Sequence, residues 1–170
     1  MNFKETLKKI ENSQEYKLFK KEHAKAELCA GFFIIDFLSN DNKNSIDFKD
    51  GEKIFTFNLD NNKIMVQEDK LITDSNSQKL DKIIPEIKID IEELKNISEK
   101  KANEKGIKAK FNKIIAILQN YKPENKEKIL VWNLTCMLEN LIILHIILNS
   151  KTEEIIKFER KSFMDLIRKK

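Results

Sequence analysis

Lys128-Ile129-Leu130-Val131-Trp132-Asn133-Leu134-Thr135-Cys136-Met137-Leu138 is followed by Leu141-Ile142-Ile143-Leu144-His145-Ile146-Ile147-Leu148 and, after a polar turn, by Glu154-Ile155-Ile156-Lys157-Phe158-Glu159-Arg160. These are apolar runs of strand length, rich in Ile, Val, Phe and Trp and separated by short polar breaks, which is the pattern of consecutive antiparallel strands. Within the first run Trp132, Leu134, Cys136 and Leu138 fall on one alternating face, so Trp132 is expected in a core.

Upstream of this meander, Asp90-Ile91-Glu92-Glu93 has the form of a capping box, in which the Asp90 carboxylate accepts from the amide of Glu93 while Glu93 reaches back. Leu94, Ile97 and Ala102 then follow a helical stripe that Gly106 can end, and Phe111 to Gln119 reads as a further strand. The beginning of the chain has the same order. Phe3, Leu7 and Ile10 mark one short helix; Asn12-Ser13-Gln14-Glu15 reads as a capping box opening a second, with Tyr16, Phe19, His23 and Ala26 on its apolar side. Leu28 to Leu38 is too β-branched and aromatic for a helix, and Gly31 weakens one further. Strands follow at Ser45 to Lys49, Lys53 to Leu59 and Lys63 to Gln67.

The repeated order predicts an α+β protein of two tandem units, each a helix on a four-stranded antiparallel sheet, at 1–68 and 89–170, with 69–88 as linker. Leu80 to Lys88, around Pro85, is expected to pack in extended form. The runs 114–118 and 141–148 are apolar at nearly every position, which predicts strands dry on both faces. One face takes the helix beginning at Ile91, against which Trp132 should pack. The back face is expected to be covered by the first unit, with a homodimer as the alternative.

Composition narrows the function classes. With 41% hydrophobic residues in 170, the chain can bury a substantial core, and no segment has the low apolar content and charge imbalance of a disordered region. The net charge of +4 invites a nucleic-acid reading, but only Arg160 and Arg168 are arginine. Lysines interleaved with Glu more commonly form a solvated face than a phosphate clamp. The N-terminal residues carry charge where a secretory signal would be apolar, and no run is long enough to span a bilayer, so a cytoplasmic protein with no membrane association is expected.

No chemistry-bearing pattern emerges. His23 and His145 lie outside any metal-ligand spacing, Gly31, Gly51 and Gly106 stand alone rather than in a phosphate loop, and Cys29 and Cys136 have no Cys-x-x-Cys partner and read as buried thiols. The stretch from Asp41 to Glu52 has Lys43 and Ile46 at places where a calcium loop needs a ligand and a glycine. The sequon Asn133-Leu134-Thr135 lies inside a strand. The residues therefore predict no enzyme, no cofactor, no metal, and no nameable catalytic or binding residues.

The segment from Asp90 to Arg160 resembles a PepSY domain: a capped helix opened by Ile89-Asp90-Ile91-Glu92-Glu93, a strand bearing Val131-Trp132-Asn133-Leu134, and a hairpin Ile147-Leu148-Asn149-Ser150-Lys151-Thr152-Glu153-Glu154-Ile155. Thr152 and Glu154 keep the family's hairpin pattern, while Asn149, Ser150 and Glu153 stand where that pattern has Asp, Ala and Gly. The resemblance implies a cystatin-like fold, a helix across a curved antiparallel sheet, serving as a non-catalytic module that binds a peptide, a peptidase or another protein. The alternative is a nucleic-acid-associated protein using Lys100, Lys101, Lys105, Lys108 and Lys110 with the tail Arg168-Lys169-Lys170.

Overall fold

The computed structural model describes residues 2–70 and 80–162. Helices α1 (Phe3–Asn12) and α2 (Gln14–Glu22) precede strands β1 (Glu27–Asp36), β2 (Lys43–Asp50), β3 (Lys53–Asp60) and β4 (Lys63–Lys70). Helix α3 (Ile91–Glu104) precedes β5 (Phe111–Tyr121), β6 (Ile129–Leu138), β7 (Ile142–Asn149) and β8 (Ile155–Ser162).

The expected tandem units are corrected by the sheet. All eight strands form one antiparallel sheet in the order β4-β3-β2-β1-β5-β6-β7-β8. Strand β1 pairs with β5 from Gly31 opposite Leu118 to Asp36 opposite Lys113, so the two meanders share a single hydrogen-bonded ladder. Two separate four-stranded sheets would leave β1 and β5 as long apolar edges with unpaired backbone groups, and joining them satisfies both. The first half therefore lies beside the second and does not cover its back face.

The helices all lie on one side of this sheet. Phe3 of α1 meets Phe33 of β1 and Trp132 of β6 edge-on, at ring centroids 6.1 and 6.3 Å apart. Phe19 of α2 packs on Phe48, Phe55 and Phe57. Ile91, Leu94 and Ala102 of α3 join the same continuous core as Ile114, Leu134 and Leu144. Trp132 is fully buried, but its ring partners are Phe3 and Phe33, and its indole N–H donates to the carbonyl of Ile89 at 2.9 Å. Gly31 permits this arrangement, because a Cβ there would sit 3.0 Å from the Phe3 ring.

The caps explain where the helices begin. Asp90 Oδ1 accepts from the amide of Ile91 and, at 2.8 Å, from the amide of Phe3 at the start of α1; Glu93 accepts from the amide of Asp90 at 2.6 Å. The box on α3 is thus formed, with an added tie to the first helix. The box expected at Asn12 does not form, and a simple cap stands one residue on. Asn12 closes α1, and Ser13, extended at φ −71° and ψ 159°, caps α2 by accepting from Tyr16. Gly106 closes α3 at φ +77°.

Part of the stretch expected as linker, 71–79, lies outside the described residues. The extended piece after it packs: Ile83, Ile87 and Ile89 are buried, and the carbonyl of Ser150 accepts from the amides of both Lys88 and Ile89. Ser150 is itself buried and donates its hydroxyl to Leu130.

Replacing Asp90 by Ala should cost more than the about 1 kcal/mol of an ordinary N-cap. The orphaned Phe3 amide adds about 1–3 kcal/mol, and urea denaturation of the variant measures the sum. In the same assay Trp132→Ala should lose about 3–5 kcal/mol, the usual cost of removing a buried aromatic.

Candidate functional site

Because every described covering element lies on one side, the alternation of each strand sends its other residues to a face that no described element covers. Register places these residues in rows across the central strands. Phe32, Ile117, Asn133, Ile147 and Lys157 form one row, and Ile34, Ile115, Thr135, His145 and Glu159 the next. Phe32, Ile34, Ile115 and Ile117 are half-buried neighbours and make an apolar field across β1 and β5. Val131 and Ile147 of this face are nearly fully buried.

Polar groups occupy the β6–β8 side of the field. His145 Nε2 lies 2.8 Å from Asn133 Oδ1, and Nδ1 lies 3.6 Å from a carboxylate oxygen of Glu159. Burial and the nearby Lys157 and Lys161 hold the imidazole pKa below its ordinary value, against the pull of Glu159. Lys157 at 3.1 Å and Lys161 at 3.6 Å share the Glu159 carboxylate and keep it ionised below the ordinary range. His23 lies elsewhere, stacked on Phe19 and 2.8 Å from Asp50.

A third row, Asp36, Lys113, Met137, Ile143 and Lys161, leads to a groove of about 460 Å³ at the turn end of β1, β5, β6 and β7. Its walls include Leu38, Met137, Leu141 and Ile143, with Asp36 and Lys113 at one end. Leu38 and Leu141 are 68% and 66% exposed, on two adjacent turns. Asp36 Oδ1 shapes the first turn by accepting from the amides of Leu38 and Ser39, each at 2.9 Å, and its other oxygen meets Lys113 Nζ at 3.0 Å. The second turn, Glu139–Leu141, carries Asn140 at φ +60° and Leu141 at φ +59°. Asn tolerates the left-handed region, but for Leu it costs about 1–2 kcal/mol. Leu141 thus combines backbone strain with solvent exposure.

Other concave places carry less. A wider depression, about 730 Å³, lies between the α1–α2 junction and the β3–β4 hairpin, where Lys9, Glu15 and Asn62 mix with Leu59, Ile64 and Met65. Cys29 and Cys136 are buried and unpaired, and burial raises both thiols to about 12, so neither is a poised nucleophile. Burial also raises the carboxyl of Asp47, opposed by the Thr56 hydroxyl, and Oδ1 has no hydrogen-bond partner. Among the described residues no group of three or more His, Cys, Asp or Glu is placed to hold a metal ion, and no helix is long and apolar enough to cross a membrane.

Of the lysines named for nucleic acid, Lys100 and Lys101 lie on α3, while Lys105 caps it and Lys108 and Lys110 follow in the loop to β5. Lys101 pairs with Glu104 at 3.5 Å. The tail at 168–170 lies outside the described residues. The groove was missed in the sequence because Leu141 reads there as the start of a strand. The polar break Glu139-Asn140 was the one signal of a turn.

No family model matches the chain, and no curated protein matches it. Among solved structures, the crystal structure of a "putative lipoprotein" from Clostridium difficile 630 is similar, with a TM-score of 0.56 and 13% identity over 86% of this chain and 90% of that one. At this identity the likeness shows a shared general fold.

The hydrogen bonds from Ser39 and Leu38 and the ion pair with Lys113 hold the Asp36 carboxyl far below its ordinary range. A depressed carboxyl contributes stability that is full above the unfolded pKa, about 3.9, and fades as pH falls toward the folded one. Urea midpoints followed from pH 7 downward should therefore fall less steeply below about pH 4 for Asp36→Asn than for the unaltered protein.

Proposed function

We propose that this protein is a non-catalytic binding module of the PepSY-like kind that engages a peptide or protein partner through the uncovered face of its sheet. The observation that carries the reading is the apolar field of Phe32, Ile34, Ile115 and Ile117, half-buried, with no described element above it. A half-buried apolar field of this kind beside hydrogen-bonding groups such as Asn133 and Thr135 suits a polypeptide, which offers both apolar side chains and backbone amides.

The PepSY-like part of the reading draws on the last hairpin. Glu153, which stands where that family's hairpin has glycine, adopts φ +61°, the left-handed backbone that glycine would supply. Thr152 Oγ1 accepts from the amide of Glu154, and Asn149 Oδ1 accepts from that of Lys151. A peptidase as partner would follow from the family resemblance. For location, two unpaired cysteines fit a cytoplasmic setting, whereas the structural neighbour's description as a lipoprotein fits the cell envelope; fractionation of the native cell with an antibody separates the two.

The test compares affinity capture from the native cell by the unaltered protein and by Ile117→Asp, with circular dichroism to confirm that the variant is folded. Loss of a specific partner from the variant supports the module. Equal capture by both, or binding to an oligonucleotide that weakens steeply with salt, favours the nucleic-acid alternative or another surface. A solution mass of two chains that Ile117→Asp reduces to one would make the partner a second copy.

A further inference from the structure

We propose that the groove between the turns bearing Leu38 and Leu141 is the seat for a partner segment in which aliphatic side chains lie beside carboxylates. The proposal rests on the binding-module reading and gives that module a specific site and partner chemistry.

Leu141 is the first ground. At φ +59° its backbone suits glycine or asparagine, and at 66% exposure its surroundings suit a polar side chain. Leucine satisfies neither condition, and Leu38 repeats the exposure on the facing turn. Strained residues that the fold does not need concentrate where a ligand is clamped. With Met137 and Ile143, the two leucines make the apolar part of the lining aliphatic, with no aromatic ring in it, which fits flexible branched or straight chains better than a planar ring.

Charge is the second ground. The row Asp36, Lys113, Met137, Ile143, Lys161 places a lysine on each side of the apolar floor. Asp36 is already engaged by two amides and Lys113, and Glu159 is shared between Lys157 and Lys161. These two carboxylates are therefore engaged, while each ammonium, with one ion pair among the described residues, has further N–H donors. What the groove offers an incoming segment is apolar surface bracketed by donors of positive charge, and the complementary segment carries Asp or Glu flanking Leu, Ile or Val.

The test uses fluorescence anisotropy with three labelled heptapeptides: three leucines between pairs of glutamates, the same leucines between pairs of lysines, and serines between the glutamates. The first is expected to bind best, more weakly as salt rises. Leu141→Asn should weaken it at least about tenfold, as should Lys161→Glu, a loss of about 1.4 kcal/mol. Leu141→Asn should leave the thermal midpoint unchanged or raised, because asparagine relieves the strain. Equal binding of the acidic and basic leucine peptides, unaltered affinity in Leu141→Asn, or binding of phosphatidylcholine vesicles in place of peptide overturns the seat. If no peptide binds while Ile117→Asp still abolishes capture of a partner, the seat is wrong and the module stands; if capture also fails to respond, both readings fall.

Discussion

The Asp90 carboxylate joins the two halves of this molecule. One oxygen accepts from the amide of Ile91, which begins α3, and from the amide of Phe3, which begins α1. Two helices from distant parts of the chain therefore start at one buried anion, whose charge favours both N-termini. This fixes Phe3 over the middle of the sheet, where its ring meets Phe33 and Trp132 and only a glycine at position 31 leaves room beneath it. The indole of Trp132 then holds Ile89, next to Asp90, and Ser150 holds Lys88 and Ile89 from the far hairpin. Each contact satisfies a backbone group that burial would otherwise leave costly.

With the described helices gathered on one side by these contacts, the other side of the sheet has no described element over it. Its rows run without interruption from β1 into β8, because the ladder between β1 and β5 is continuous with its neighbours. The joint that makes one sheet of two meanders is thus also what creates a broad apolar field. At the turn end of the same strands the field passes into the groove, where local geometry departs from what packing alone would select. The saturated Asp36 stiffens one turn, and the left-handed pair Asn140 and Leu141 sets the other.

Several features were readable from short stretches. The box at Asp90, the end at Gly106 and the strand period of Trp132, Leu134, Cys136 and Leu138 were visible because each depends on residues within a few positions. The cap on α2 was misread by one residue: Asn12 and Ser13 are both good caps, and the choice between them depends on where α1 stops. The face of Trp132 was legible, while its partners Phe3 and Phe33 come from the other half of the chain.

The sequence by itself determined the elements, their order and their apolar faces, since hydrogen bonds within a turn and the 3.6 and 2 residue periods are local physics. Only the tertiary structure decided that the meanders form one sheet, which face the described helices cover and that Leu141 sits in a left-handed turn. Pairing β1 with β5 is a contact between segments far apart in the chain, and an apolar strand has the same sequence signature at the centre of one large sheet as between two small ones. The pairing followed from the need to satisfy exposed strand edges and bury one shared core, which is a property of the whole chain and of no stretch within it.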